Sequence, residues 1–381
     1  KDLKIFYNNS KIKIAYFTPD FFEHAGMINM EGIFKYHNKK KFEIFAFDYG
    51  YSNNDNTHKR IKKYFDKFIY INNLSDEEIS KLVKENKIDI VIHRNGYSQN
   101  SRNTLFAKKI APIQISFLGY PGTMGVDFID YIIADEIVIP ENNKQYFNEK
   151  IIYLPNTYYP TFNKRKISNK KYEKKDFGID DNAFVFGSFN NSYKISQNEF
   201  SIWMQLLINI KNSVLILLIE EEITKQNLIN EIKKFNMDIK RIKFFNFTKN
   251  EDHLARHKIV DLYLDTFNYN GHTSVIDALY SGIPVITKIG KSFTARVCAS
   301  ILNACEMFEL VTFSEKEYFD LALKISKNKN ILDELKRKLK NKLKQSPLFD
   351  TRKYVKDLEN AYFAAVLNKN NRKVIKNITV K

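Results

Sequence analysis

Apolar and polar positions along the chain fall into two alternating blocks. In the first, the β-branched and aromatic run Lys11–Thr18 predicts a strand, and the apolar spacing of Met27–His37 predicts a helix behind it. A strand at Phe42–Phe47 follows, then a helix at Asp76–Asn86 leading into a strand at Asp89–His93. Short apolar runs at Ile113–Leu118, Tyr131–Ala134 and Ile151–Leu154 complete the block. The second block predicts strands at Phe184–Phe189, Val214–Ile219, Arg241–Phe247, Asp261–Asp265 and Val285–Thr287. Its helices fall near Gln197–Ile210, Thr224–Phe235, Thr273–Ser281 and Phe293–Leu302, and helical segments rich in Lys, Glu and Leu run on to Leu367. Strands separated by helical patterns imply βαβ units and a parallel sheet.

Between the blocks the pattern breaks. The stretch Tyr158–Asp176 carries Pro160 and the basic run Lys164, Arg165, Lys166, Lys170 and Lys171, and reads as a connection. The expected organisation is an N-terminal lobe over 1–160, a linker over 161–176, a C-terminal lobe over 177–367 and a frayed basic tail over 368–381. The fold class is α/β, and two such lobes predict a cleft faced by the carboxyl ends of the strands. Dehydrogenases, kinases and nucleotide-sugar transferases share that architecture, so the architecture does not choose among them. No repeat of solenoid period is present.

Composition narrows this picture. With 381 residues, 44% hydrophobic and 28% charged, the chain is neither disordered nor collagen-like, and its length suits two domains. A net charge of +17 favours anionic partners, although a composition rich in Lys, Asn, Ile, Tyr and Phe is taken as its main source. The lysines are dispersed rather than interleaved with aromatics on one face, so nucleic acid is not expected as a partner. Cys298 and Cys305 lie in one apolar stretch and read as buried, reduced thiols. Aliphatic runs such as Val214–Ile219 fall far short of the roughly 18 residues a membrane span needs. No signal peptide is visible and the chain opens with Lys1, so a cytoplasmic location and a missing N-terminal region are expected.

The richest segment for chemistry runs from Asp265 to Thr287. A predicted strand ends at Asp265, Gly271 permits a tight turn, and Thr273 and Ser274 open a helix whose unpaired N–H groups suit a phosphate. A plain Thr/Ser cap fits the same residues. Asp277 lies one turn further on and suits ribose hydroxyls, while Gly282 and Pro284 end the helix. Lys194, on the loop after Phe184–Phe189, is placed to neutralise a leaving diphosphate, or is a solvated loop lysine. His24, in Thr18-Pro-Asp-Phe-Phe-Glu-His24, suits an acceptor-orienting or proton-relay role, or a structural one. Gly119-Tyr-Pro121-Gly122 is a turn whose backbone can approach a sugar. His253 and Arg256 suit stacking on a base, or a wet helix face. No strand-end DxD, HExxH or His/Cys cluster appears, so metal-independent chemistry without a cofactor is expected.

These residues resemble the catalytic region of the O-GlcNAc transferase family, glycosyltransferase family 41, which includes the SPINDLY proteins. The resemblance rests on Thr18–His24, Asn95-Gly-Tyr97 with Ser101-Arg-Asn103, and Ala111–Thr123 with its Leu-Gly-Tyr-Pro-Gly-Thr. It continues through Phe189-Asn-Asn-Ser-Tyr-Lys194, Leu264-Asp-Thr266, Asn270-Gly-His-Thr273 and Ala295-Arg-Val297, covering about Lys11 to Leu323. It implies a GT-B fold of two Rossmann-like, doubly wound lobes facing a central cleft. It also implies transfer, with inversion, of a sugar from a nucleotide donor to Ser/Thr hydroxyls of an acceptor protein or peptide.

By the same resemblance Lys194 contacts the donor phosphates, Asn191 stands near the diphosphate, and His272, Thr273 and Ser274 match the phosphate-binding loop. Asp277 matches a ribose-binding carboxylate, His253 and Arg256 match positions around the uracil, and Leu118, Gly119 and Pro121 match residues near the sugar. His24 matches a catalytic-site histidine. The chain departs from the family at Asn250, where a donor-binding Lys is usual, and at Asp89, where animal enzymes carry an active-site His. It lacks the insert between the lobes, and no tetratricopeptide repeats precede Lys11, although family members usually carry them to bind acceptors. His272 and Asp277 favour UDP-GlcNAc as donor over GDP-fucose or UDP-glucose. The competing classes are a transferase acting on lipid or glycan and a non-catalytic polyanion binder.

Overall fold

A computed structural model of the chain describes residues 10–50, 55–370 and 375–381. The chain folds as two compact units. One comprises the described residues up to Asn163 together with those from Asp350 onward, and the other runs from Lys164 to Phe349.

The first unit holds β1 (Ile12–Thr18), β2 (Phe42–Asp48), β3 (Lys67–Tyr70), β4 (Ile90–His93), β5 (Ile113–Ser116), β6 (Tyr131–Ala134) and β7 (Lys150–Tyr153). The second holds β8 (Phe184–Ser188), β9 (Ser213–Leu218), β10 (Ile242–Phe245), β11 (Leu262–Leu264), β12 (Val285–Lys288) and β13 (Val311–Thr312), and β14 (Ile378–Thr379) returns to the first. The first sheet is ordered β14-β7-β6-β5-β4-β1-β2-β3 and the second β10-β9-β8-β11-β12-β13, with every pairing parallel. Helices cover both faces of such sheets, which is why inner strands such as β4 and β9 are buried along their whole length and apolar but for His93 at the end of β4 and Ser213 at the start of β9.

Each order reverses once, between β1 and β4 and between β8 and β11. At such a switch point the loops after the two adjacent strands leave in opposite directions, and a crevice opens at the carboxyl edge. The register there is Phe17 opposite His93 in the first unit and Tyr263 opposite Gly187 in the second. Local signals held where they were strong. Ser75 and Glu78 form the capping box of helix Asp76–Glu85. Gly282 (φ +84°) ends helix Thr273–Tyr280, with Gly282 N–H on Leu279 O at 2.9 Å and Ile283 N–H on Ala278 O at 2.9 Å.

Two expectations about the C-terminal region are corrected. Residues beyond Phe349 were expected in the second lobe, but helix Thr351–Asn370 belongs to the first unit. A buried polar chain holds it there: Tyr16 Oη meets His37 Nε2 at 2.8 Å and Tyr362 Oη at 3.2 Å, and Glu359 meets His37 Nδ1 at 2.9 Å. Glu359 also accepts the Asn38 N–H at 2.6 Å. Burying those groups unpaired would cost far more than the pairing does, so the network specifies which sheet the helix covers. The tail is not frayed over 375–381: β14 adds to the free edge of β7, with Val380 N–H on Tyr153 O at 3.0 Å.

Candidate active site

The second unit gathers the sequence-predicted donor residues at its switch point. Lys194 ends a short 3₁₀ turn on the loop after β8, and Asn270 lies on the loop after β11. Because β8 and β11 are neighbours, Lys194 Nζ donates to the Asn270 carbonyl at 3.0 Å and lies 3.9 Å from the centre of the Tyr269 ring. Burial lowers the Lys194 ammonium from its usual range to about 8, with Asp265 opposing the shift. Three residues past Asn270, helix Thr273–Tyr280 begins, and the His272 ring stands 5.3 Å from that of Tyr269. Burial, and then Lys194, keep the His272 imidazole well below its ordinary range.

Asp265 organises this loop. It is wholly buried and accepts the Gly271 N–H at 2.6 Å and the Thr287 hydroxyl at 2.7 Å. Burial raises its carboxyl to about 6 against those hydrogen bonds. Asn190 ties the two strand ends together, donating to Asp265 Oδ1 at 3.2 Å and Thr266 Oγ1 at 3.1 Å while accepting from Ser274. The turn needs Gly271 for space rather than for a left-handed backbone. A Cβ there would lie 2.6 Å from Ser274 Oγ and 2.7 Å from Asn190 Oδ1.

Other expected donor residues are placed differently. Asn191 is exposed and its amide reaches only Tyr193 Oη, at 3.4 Å; its buried neighbour Asn190 is the structural tie. Arg256 is buried rather than on a wet face. It donates to His253 Nδ1 at 2.8 Å and to Asn246 O at 2.7 Å, and covers the Phe245 ring at 5.1 Å. Burial lowers His253 well below its ordinary range, helped by His257, Arg256 and Arg165. Asp277 lies one turn into its helix as expected, but it is 4% exposed and paired at 2.6 Å with the buried guanidinium of Arg165. Its carboxylate is thus engaged inside the unit rather than open on the helix face. Asn250 accepts from Arg165 at 3.1 Å.

In the first unit, the loops after β1, β4 and β5 bring together His24, Arg94 and the turn holding Leu118, Gly119 and Pro121. Gly119 N–H donates to Arg94 O at 2.9 Å, and Leu118 is buried. Asp89 is not part of this group. It precedes β4, where its Oδ2 accepts the Lys13 N–H at 2.9 Å at the start of β1. Five residues of strand separate Lys13 from Thr18, so Asp89 sits about 16 Å from the carboxyl edge. The expectation that it serves at the catalytic edge is corrected on that ground. The histidine at the carboxyl end of β4 is His93, buried and stacked on Phe106 at 3.9 Å with Nε2 on Asn103 Oδ1 at 2.7 Å.

Sequence reasoning missed Asn190, Arg165 and Arg94 as site residues. Asn190 carried a usable signal, being the first residue after a strand-end Phe; the two arginines carried none, since each is defined by a partner more than 60 residues away. Among the described residues, no group of three or more His, Cys, Asp or Glu side chains is arranged to hold a metal ion. No described helix is long and apolar enough to cross a membrane.

Comparison with known proteins agrees with this geometry. The family profile described as glycosyl transferase family 41 matches residues 2–174 and 167–358. A probable UDP-N-acetylglucosamine–peptide N-acetylglucosaminyltransferase, SEC of Arabidopsis thaliana, is 32% identical over 93% of this chain and 37% of its own length. The similarly named SPINDLY of Petunia hybrida is 27% identical over 93% of this chain and 39% of its own. The chain therefore spans well under half the length of these relatives. Among solved structures, an O-GlcNAc transferase of Thermobaculum terrenum aligns over 95% of this chain and 69% of its own, with a TM-score of 0.87 at 23% identity. Anabaena HepE, solved with UDP and glucose, aligns over 93% of this chain and all of its own with a TM-score of 0.61 at 12% identity. These likenesses carry the α/β fold of two parallel sheets, the GT-B class that the resemblance implied.

Proposed function

The chain belongs to glycosyl transferase family 41, and from that membership we propose that it transfers N-acetylglucosamine from UDP-N-acetylglucosamine to serine and threonine hydroxyls of proteins. The observation that carries the reading is the meeting of Lys194 with the turn that opens helix Thr273–Tyr280. In an inverting displacement the acceptor hydroxyl oxygen attacks the anomeric carbon and gives up its proton to solvent, the bond to the diphosphate breaks, and negative charge grows on the departing UDP. An ammonium group and the positive end of a helix dipole are what that charge requires. The reaction is metal-independent in this reading, because those two sources supply the positive charge. With its ammonium near 8, Lys194 is mostly protonated at pH 7, and a bound diphosphate raises that value further.

The family resemblance at His272 and Asp277 favours the UDP-N-acetylglucosamine donor over GDP-fucose and UDP-glucose. The ribose is less simply read: Asp277 reaches it only if the Arg165 guanidinium shares or yields the carboxylate. Titration calorimetry with the three nucleotide sugars tests the donor. The expected order has UDP-N-acetylglucosamine tightest, and incubation with a Ser/Thr peptide releases UDP and adds one N-acetylhexosamine mass. Tighter binding of GDP-fucose would replace the donor. Binding of no nucleotide sugar, with steeply salt-dependent binding of polyanions, would replace the class.

A further inference from the structure

A second built cluster stands at the switch point of the first unit, and its key residue, Arg94, has no role in the reading above. The Arg94 side chain is 5% exposed. Its Nη1 pairs with Asp20 and reaches Thr18 Oγ1 at 3.3 Å, and Asn95 donates to the same Asp20 oxygen at 3.1 Å. Its Nη2 stands 3.4 Å from Nδ1 of His24. Helix Ala25–Tyr36 starts beside it, with His24 as N-cap accepting the Gly26 N–H on that same Nδ1 at 3.2 Å. Gly26 makes the room: a Cβ there would lie 2.2 Å from Arg94 Nη2. A cation at a helix N-terminus opposes the helix dipole, so helix stability does not account for this arginine.

Two N–H donors converge on one ring nitrogen. A nitrogen that accepts hydrogen bonds carries no proton, and a neutral imidazole has only one proton to place. We propose that Arg94 is a positioning residue that fixes His24 as the neutral tautomer protonated on Nε2, so that this imidazole meets its ligand as a hydrogen-bond donor and not as a base. The groups that face the ring agree. Burial and the Arg94 charge lower its protonation, Asp20 raises it, and the Phe22 ring packs edge-on at 6.0 Å. The Nε2–H then suits an oxygen, such as a sugar hydroxyl, an amide carbonyl or a phosphate, and the ring is unable to take a proton from an acceptor hydroxyl at that nitrogen. Only the identity of that oxygen rests on the transferase reading; the tautomer does not.

The test is a two-bond ¹H–¹⁵N correlation spectrum of the His24 ring in the full chain, from pH 5 to 9, with His24→Gln used for assignment. The wild type should show an unprotonated Nδ1 and a protonated Nε2 at pH 7.5, titrating below about 6.5. Arg94→Met should raise the midpoint by about half a unit to one unit, and Arg94→Lys should return it most of the way. In a transfer assay Arg94→Met should lower kcat about tenfold with KM for the nucleotide sugar within twofold, and Arg94→Lys should recover most of the loss. A proton on Nδ1 in the wild type overturns the proposal, even if no variant folds. So does an Arg94→Met protein whose tautomer and midpoint are unchanged. If no sugar is transferred at all, the spectra still decide the tautomer, so the two readings fail separately.

Discussion

Replacing Lys194 by Met tests the charge argument through two effects of opposite sign. The fall of the ammonium from 10.5 to about 8 means that the unliganded fold disfavours this charge by about 3 kcal/mol at most, since the half-buried side chain keeps some solvent screening. The lysine also contributes. Its bond to the Asn270 carbonyl is worth about 1 kcal/mol and its position over Tyr269 about another. Lys194→Met should therefore stabilise the unliganded protein by about 1 kcal/mol at pH 7, a rise of about 2–4 °C in Tm. The sign with pH follows from the direction of the shift. A lysine lowered on folding is less protonated in the folded than in the unfolded chain between about 8 and 10.5, so its cost is complete below pH 8 and fades as pH climbs toward 10.5. The gain from Met should shrink accordingly in melts at pH 9 and above. Turnover should move the other way, falling about 10²–10³-fold, the usual loss when one preorganised donor to a developing anion is removed. Paired melts and a UDP-release assay read both. A variant that melts lower at pH 7, or keeps turnover within threefold of wild type, would refute the claim that this ammonium is held at a structural cost for an anionic ligand.

Three other expectations follow from particular contacts. Gly271→Ala forces a methyl group to within 2.6 Å of Ser274 Oγ and should cost about 1–3 kcal/mol by thermal melting, and weaken UDP binding at least tenfold by calorimetry. Arg165→Met strands the buried Asp277 carboxylate and should destabilise by about 3–5 kcal/mol in urea titrations, whereas the double variant with Asp277→Leu should regain most of that stability. No recovery in the double variant would mean that Arg165 acts through its packing on Tyr280 instead. Deletion of residues 375–381 exposes the edge of β7 and removes the buried Ile378 and Val380, and should lower stability by about 2–4 kcal/mol in the same titration.

The local alphabet of this chain is readable without coordinates. Apolar runs buried on both faces mark the inner strands, Ser75 and Glu78 mark a helix start, and Gly282 with Pro284 marks a helix end, because each is a consequence of dihedral preference and near-neighbour hydrogen bonding. The motif residues Lys194, Thr273 and Ser274 were also visible, as residue types that suit an anion after strand ends, and His272 through the family resemblance. Strands β3, β13 and β14 were not: β3 is a partly solvated edge strand of mixed pattern, and β13 and β14 are two residues each, too short for a period to show. What remained hidden was which residues meet. Lys194 finds Asn270 and Arg94 finds His24 only after strand order makes β8 a neighbour of β11 and β1 a neighbour of β4, and Arg165 finds Asp277 only once the connection packs on the second unit. Asp89 was singled out through the family resemblance alone; it precedes β4 and meets Lys13 at the start of β1, at the amino end of the sheet. Local order depends on a few residues at a time. Partnership across 70 or more residues depends on how whole sheets are wound, and that is a property of the fold and not of any segment within it.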